Sequence, residues 1–188
     1  MSKEPLNAAL NYAVNTIADR VFPFGYNVRP NAPNTYDECC EEFRTTGQIS
    51  IWDGDYTNTG FGDTETWRNF RAWHDFVHVR HQFPFDMPGE YAAATFQSFQ
   101  IYKILGRDDI AIDAVAQLWA ELIGPLEARL HNHTIPCARQ FVREQKPIWR
   151  PLAERLAATT CHTSSDALRE AAKMAAQRRA WGTGEDRP

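Results

Sequence analysis

Long apolar runs are absent from this 188-residue sequence, and cysteines are few. A helix that crosses a membrane needs about 20 mainly apolar residues, and residues 1–5 lack the apolar segment of a secretory signal. None of the four cysteines belongs to a C-x-x-C pair: Cys39, Cys40, Cys137 and Cys161. These absences predict a protein with no membrane span, with free thiols and with a cytoplasmic location.

Several catalytic motifs are missing as well. The sequence contains no Gly-rich phosphate loop, no dinucleotide fingerprint and no G-x-S-x-G nucleophile elbow. Its net charge is −4, so we do not expect a nucleic-acid partner. Four basic side chains recur at helical spacing in the C-terminal third: Arg139, Arg143, Lys146 and Arg150. We interpret this row as a solvated helix face, and a surface for an anionic partner is the alternative.

The composition and the spacing of apolar residues indicate one helical domain. Hydrophobic residues make up 43% of the chain and charged residues 23%, which is typical of a globular protein. Apolar positions recur every three or four residues, and no alternating strand pattern stands out. The predicted fold is all-α, a bundle of five to six helices in a single domain over residues 1–188. The predicted helices cover residues 5–20, 63–81, 88–105, 110–131, 136–158 and 166–181.

Residues 21–62 are predicted to form a long irregular segment, with one short helical turn near residues 37–44. The segment is rich in proline, asparagine and glycine, but its many aromatic residues argue against disorder. We therefore expect it to wrap the helical core of residues 63–181 and to cover a site. Residues 182–188 are predicted to form a loose tail.

The pattern that says most about function lies in the helix predicted over residues 63–81. His74, Asp75 and His78 read H-D-x-x-H, and Glu90 follows after eleven further residues. Residues four apart share one face of a helix, so the two imidazoles can reach one point. Glu90 can add a carboxylate from the next helix. The pattern predicts one divalent metal held by His74, Asp75, His78 and Glu90.

The ligand types limit the metal and its chemistry. Imidazoles and carboxylates suit zinc, iron or manganese, and we expect zinc. Asp75 is either a ligand or a close partner of the ligands, and Asp75 or His81 could transfer protons. The alternative is a cluster of hydrogen-bonded core histidines. Nearby aromatic residues suit an aromatic or apolar substrate, or simply belong to the core: Trp67, Phe70, Trp73, Phe83 and Phe85.

The stretch from Arg71 to His78, continued by Pro88-Gly89-Glu90 and on to Phe96, resembles the coenzyme Q biosynthesis protein four family. That family carries H-D-x-x-H, eleven residues and then Glu, commonly with Gly before the Glu. The resemblance covers about residues 66–100 and also extends to small uncharacterised proteins of bacteria and phages. It implies an α-helical protein that binds a divalent metal, usually zinc. It also implies loss of the carboxyl group at C1 of a prenylated aromatic ring, with hydroxylation there, in ubiquinone biosynthesis.

Three functional hypotheses follow. The first is a metal-dependent enzyme acting on a small aromatic or apolar molecule, by decarboxylation or hydroxylation if the resemblance holds. The second is a non-catalytic binding protein whose metal pins two helices together. The third is a zinc hydrolase with Asp75 as the general base, although Asp75 is one methylene shorter than the usual Glu. A homo-oligomer is a further hypothesis, because the last predicted helix carries a face of small side chains: Ala167, Ala171 and Ala175.

A second pair of potential ligands, Glu127 and His131, lies at the end of the helix predicted over residues 110–131. Metal sites in helix bundles usually use Glu-x-x-His rather than this E-x-x-x-H spacing. A histidine at a helix C-terminus, where the helix dipole favours positive charge, is the simpler interpretation.

Overall fold

The computed structural model describes residues 3–54, 59–135, 137–159, 163 and 165–173. Of these described residues 70% are helical, and the predicted all-α fold is confirmed. Residues 165–173 are helical. The other elements, in chain order, are α1 (Ala8–Val21), β1 (Asn27–Val28), α2 (Tyr36–Thr46), β2 (Ser50–Ile51), α3 (Thr64–His81), α4 (Met87–Leu105), α5 (Asp109–Leu130) and α6 (Ala138–Ala157).

Polar side chains decide where four of the helices begin. Asn7, Asp63, Asp86 and Asp108 each accept a hydrogen bond from a backbone N–H in the first turn of α1, α3, α4 and α5. Helix α1 therefore begins at Ala8, three residues after the predicted start. Helices α3, α4 and α5 agree with their predicted bounds to within one residue, because their capping residues follow clear breaks in the apolar pattern.

The segment over residues 21–62 is more ordered than the sequence suggested. Helix α2 has three turns, because Thr35 and Glu38 form a capping box at its start. Gly47 ends the helix in the left-handed region, at φ 70°. Strands β1 and β2 form a two-residue parallel pair on either side of α2. The segment therefore folds back beside α3, against which both α2 and β2 pack.

Proline residues lie inside two of the long helices. Pro125 is part of α5, and Pro147 and Pro151 are part of α6. The helical residues 165–173 form the beginning of the helix predicted over residues 166–181. The remainder of that helix and the predicted tail over residues 182–188 lie outside the described residues.

One buried apolar cluster joins α1, α3, α4, α5, α6 and the helical residues 165–173. Two fully buried indoles connect their helices to α4 by hydrogen bonds. Trp73 of α3 donates to Gln100 Oε1 at 2.9 Å, and Trp119 of α5 donates to Ser98 Oγ at 2.9 Å. These bonds satisfy the polar edges of two large core residues and hold α4 between the two helices that line the candidate site.

The small side chains near the C-terminus belong to this same cluster. Ala167 is 0% exposed and Ala171 is 3% exposed. The protein's own core covers them, so this part of the face is not free to pack against a second copy. Ala175 lies outside the described residues. The homo-oligomer stays a prediction.

Three of the four basic side chains of the α6 row bind groups of the protein itself. Arg139 donates to a backbone carbonyl in the loop before α3. Lys146 pairs with Asp113 of α5 at 3.0 Å, and Arg150 pairs with Asp109 at 2.6 Å. The row therefore ties α6 to the rest of the fold and is not simply a solvated face, as the sequence had suggested.

Two further expectations concern the membrane and the thiols. In the part of the chain that the structure describes, no helix is both long and apolar enough to cross a membrane. Cys39, Cys40 and Cys137 are free thiols, as predicted, and Cys161 lies outside the described residues. The cytoplasmic location stays a prediction.

Replacing Gly89 by Ala is expected to destabilise the protein. The added Cβ would lie 1.9 Å from the carbonyl oxygen of Pro84. The Pro84 carbonyl belongs to the backbone and cannot rotate out of the way as a side chain can, so the start of α4 would have to shift. Overpacking of this kind costs about 1–3 kcal/mol, which urea unfolding would measure as a lower free energy of unfolding.

Gly124→Ala in α5 is the matched control. Its Cβ would meet the ring of Phe141 at 3.0 Å, and a side chain can adjust to that contact. Ala is also favoured over Gly inside a helix by about 1 kcal/mol. A Gly124 variant as unstable as the Gly89 variant would contradict the importance of the close approach at Pro84.

Candidate metal centre

Helix α3 brings two imidazoles to one point inside the protein. His74 and His78 lie one turn apart and are 3% and 0% exposed. Their ring centroids are 4.5 Å apart at an interplanar angle of 79°. The predicted i, i+4 pairing of these two residues on one face is therefore present in the fold.

Hydrogen bonds at the outer ring nitrogens aim both Nε2 atoms at each other. His78 Nδ1 lies 2.8 Å from the carbonyl oxygen of Phe83. Since that oxygen can only accept, His78 carries a proton on Nδ1 and a lone pair on Nε2. His74 Nδ1 lies 3.0 Å from Gln97 Oε1, which favours the same tautomer. Partners of this kind orient the histidine ligands of metal sites.

The end of α3 explains why the Phe83 carbonyl is available. Gln82 ends the helix in the left-handed region at φ 57°, so the chain turns back over the last turn. The N–H of Phe83 then donates to the carbonyl of His78 at 2.9 Å. Phe83 and His78 are therefore joined by two hydrogen bonds in opposite directions, and the ring of His78 has little freedom to rotate.

Glu90 reaches the two histidines from the first turn of α4. Asp86 caps this helix by accepting from the N–H of Gly89 at 2.8 Å. Gly89 packs directly against the Pro84 carbonyl, which leaves no room for a side chain at this position. The short turn between α3 and α4 thereby places the carboxylate of Glu90 beside the imidazoles.

The three facing atoms form a nearly equilateral triangle. His78 Nε2 lies 3.1 Å from His74 Nε2. Glu90 Oε2 lies 3.3 Å from His74 Nε2 and 3.5 Å from His78 Nε2. Tetrahedral ligands about 2.0–2.1 Å from a zinc ion are roughly 3.3 Å apart. His74, His78 and Glu90 can therefore hold a metal ion in their present positions.

The electrostatics of this triangle also suit a cation. With the imidazole protons on Nδ1, two lone pairs and a carboxylate converge on one space, and they repel unless positive charge lies between them. Burial raises the pKa of Glu90, but hydrogen bonds from His74 and His78 in their protonated form, together with their positive charge, hold it well below its usual range. A cation between the three residues would take the place of those protons. The carboxylate is therefore ionised, as a metal ligand must be.

Asp75 lies beside this group but is not one of the three residues that form it. Its carboxylate is buried and pairs with Arg71 at 3.1 Å, one turn earlier on α3. Burial, and then the negative charge of Asp75, raise the pKa of the Cys39 thiol to about 12. Cys39 is thus a protonated neighbour and not a thiolate ligand. A direct bond from Asp75 to the metal stays a prediction.

The other candidate residues occupy different surroundings. The ring of His81 packs against Phe96, with centroids 4.0 Å apart, and burial and the charge of Arg80 lower its pKa. Glu127 accepts a hydrogen bond from Tyr91 at 2.6 Å. His131 is the C-terminal cap of α5 and is exposed, as the simpler interpretation of the sequence predicted. None of these three belongs to the His74, His78 and Glu90 group.

A cavity of about 710 Å³ opens onto the metal centre. His74, Asp75 and Glu90 all line it. Its other walls come from α5 and from residues of the N-terminal segment at 30–34 and 51–52. That this segment covers a functional site stays a prediction. Four aromatic side chains contribute to the lining: Trp52, Trp67, Phe70 and Phe85. A small molecule in this cavity would lie next to the metal ligands.

Sequence reasoning did not single out Glu121 of α5, which lines this cavity. Its Oε1 atom is shielded from solvent and makes no well-formed hydrogen bond among the described residues, although the Gly60 backbone and the Gln117 amide lie close to it. Burial raises the pKa of Glu121 to about 7, although the Gly60 backbone, the Gln117 side chain and the charge of Arg139 lower it. A glutamate in an amphipathic helix is ordinary, so no signal in the sequence singled it out.

Comparison of the chain with models of known families, with curated proteins and with solved structures finds no match.

Metal content is the direct check of this centre. Protein purified without chelator or affinity-column metal is expected to contain about one equivalent of a divalent metal. The double variant His74→Ala/His78→Ala should contain none, because two of the three ligand atoms are gone. His133→Ala, which removes an exposed imidazole, should keep the metal. Elemental analysis measures the metal content of the three proteins. Metal retained by the double variant would contradict the assignment of His74 and His78 as ligands.

The raised pKa of Glu121 predicts a pH-dependent difference in stability between the wild type and Glu121→Gln. Below the unfolded pKa of 4.5, Glu121 is protonated in both states. Between pH 4.5 and about 7 the unfolded chain loses this proton while the folded protein keeps it, so wild-type stability falls. The loss relative to the Gln variant should be about 3 kcal/mol by pH 8.

Urea unfolding of both proteins over this pH range measures the difference. Glu144→Gln serves as a control, because it removes an exposed carboxyl of α6 and should follow the wild type at every pH. A constant difference between the wild type and Glu121→Gln would contradict the raised pKa.

Proposed function

We propose that this protein is a metal-dependent enzyme acting on a small aromatic or apolar molecule. One observation supports the proposal above the others: the cavity of about 710 Å³ is lined by His74 and Glu90, two of the three residues that can hold the metal. A metal that only pinned two helices together would not need access from such a cavity. Ligand pockets of this kind are typically about 300–1,000 Å³.

The lining of the cavity supports an aromatic or apolar ligand. Trp67 and Phe70 come from the same helix as the histidines, and Phe85 precedes Glu90 in the turn before α4. Leu122, Pro125 and Leu126 add aliphatic surface from α5. These side chains place apolar surface beside the residues that can hold the metal.

The chain's own groups have distinct tasks in this proposal. His74, His78 and Glu90 would hold the metal, and the cavity that His74 and Glu90 line would give a substrate access to it. Phe83 and Gln97 fix the tautomers of the histidines through their oxygens. A bound divalent metal would supply Lewis-acid polarisation of a carboxylate or phenolate, or activation of water. Zinc is the metal we expect, with iron and manganese as alternatives.

The reaction type comes from the family resemblance alone. The coenzyme Q biosynthesis protein four family carries the same spacing of two histidines, an aspartate and a glutamate, and acts in decarboxylation and hydroxylation of a prenylated aromatic ring. Decarboxylation or hydroxylation of an aromatic acid is therefore the first reaction to test. The hydrolase hypothesis is weaker, since the Asp75 carboxylate is engaged by Arg71 and is not free to act as a base.

Turnover by the metal-loaded protein tests the proposal. The wild type is expected to convert at least one member of a panel of hydroxybenzoic acids with and without apolar ring substituents, as measured by product mass. His74→Ala should lose both the metal and the turnover, whereas His133→Ala should retain both. Conversion that persists in metal-free protein would contradict a metal-dependent enzyme. Stoichiometric metal with no conversion, together with a large loss of stability on chelation, would support the non-catalytic binding protein instead.

A further inference from the structure

One face of α5 forms a wall of the cavity that His74 and Glu90 also line. Glu121, Pro125 and Arg129 all line the cavity and follow one another at intervals of four residues, so they lie along that face. Glu121 is the carboxyl group that this wall presents to the cavity. It is separate in sequence and in position from the group that can hold the metal.

The surroundings of Glu121 leave its polar atoms incompletely satisfied. A Cβ at Gly60 would lie 2.0 Å from Glu121 Oε1 and 2.7 Å from Gln117 Nε2, so the glycine backbone packs directly against both groups. Glu121 Oε1 and both side-chain polar atoms of Gln117 are shielded from solvent and make no well-formed hydrogen bond among the described residues, although the Gly60 backbone and the Gln117 amide lie close enough to Glu121 to lower its pKa. Buried polar atoms normally have partners. Such an arrangement is costly to the fold and is typical of functional sites.

We propose that Glu121 is a proton donor of this active site, a further catalytic residue that contacts the ligand in the cavity. This inference rests on the proposed function. In the step, the O–H bond of the Glu121 carboxyl breaks, and the proton bonds to a ligand atom that gains negative charge in the reaction. The electron pair stays on the carboxylate, which takes a proton from solvent before the next turnover. No additional reactant is required.

The charges around Glu121 are compatible with this role. Burial raises its pKa to about 7, and Arg139 of α6 is the charged side chain that opposes this effect. A carboxyl with this pKa is protonated in the lower neutral range and can still give up its proton, which is the balance a general acid needs. The other charged residues that line the cavity come from α3, α4 and α5: Arg71, Asp75, Glu90 and Arg129. Among the described residues, α1 contributes no side chain to this lining.

A purely structural role for Glu121 leads to different expectations. Glutamine has nearly the same shape, and it would remove the cost of ionising a buried carboxyl. If Glu121 only filled space, Glu121→Gln would keep turnover and its pH dependence and would gain stability above pH 7. If Glu121 donates a proton, the same variant would be stable and metal-loaded but slow.

The experiment compares Glu121→Gln and Glu121→Asp with the wild type, all metal-loaded, on the aromatic acid that the wild type converts. We expect Glu121→Gln to keep about one equivalent of metal and to lose roughly 100-fold or more in kcat. The decrease of the wild-type rate as pH rises through about 7 should vanish in this variant. Glu121→Asp, which restores a carboxyl, should recover part of the rate. Glu144→Gln should behave as the wild type.

Infrared spectroscopy adds a measurement that does not depend on turnover. At about pH 6 the wild type should show a protonated carboxyl band that is absent from Glu121→Gln. Absence of this band from the wild type, or a Glu121→Gln variant with wild-type kcat and pH profile, would overturn the inference while leaving the proposed function intact. A metal-loaded wild type that converts no aromatic acid would overturn the proposed function, and the catalytic role of Glu121 with it.

Discussion

The metal centre depends on the pair of hydrogen bonds between His78 and Phe83. The N–H of Phe83 binds the last turn of α3, and its carbonyl oxygen receives the Nδ1 proton of His78. The first bond shapes the turn that leads into α4, and the second determines which nitrogen of His78 carries a lone pair. The turn at Gln82 and Phe83 therefore sets both the position of Glu90 and the tautomer of His78, which Glu90 faces.

The buried polar groups of the candidate site lower the local stability of the fold, in an arrangement that can hold a metal ion. Three atoms with lone pairs face one another across 3.1–3.5 Å, and the Nε2 atom of Gln97 is buried without a partner among the described residues. Evolution toward stability alone would replace such groups with apolar side chains. The surrounding core holds these groups in place, because the buried indoles of Trp73 and Trp119 tie α3 and α5 to α4. A rigid shell of this kind is what holds ligand atoms in place for a metal.

The sequence predicted the parts of the structure that depend on local spacing. The i, i+4 spacing of the histidines and the periodic apolar positions of the two helices placed His74, His78 and Glu90 on the right elements. Thr35 and Glu38 also form a local pattern, a capping box, which indicates the full helix α2 where only a short helical turn was predicted. The partners of the histidines could not be predicted, because Gln97 lies 23 residues from His74 and meets it only through the packing of α4 on α3. Glu121 could not be predicted for the same reason, because its burial depends on the turn at Gly60, which lies 61 residues earlier in the chain.

The hydrogen bonds of Arg139 have a consequence for the order in which the protein can assemble during synthesis. Its guanidinium binds the carbonyl of Thr59, 80 residues earlier, and the carbonyl of Glu4, 135 residues earlier. These bonds tie α6 to the start of the chain and to the turn at Gly60, which packs against Glu121. A nascent chain that has emerged only as far as α5 contains the residues that can hold a metal and the residues that line the cavity, but it lacks this clamp. The turn beside Glu121 is therefore fastened only after the last third of the polypeptide has left the ribosome.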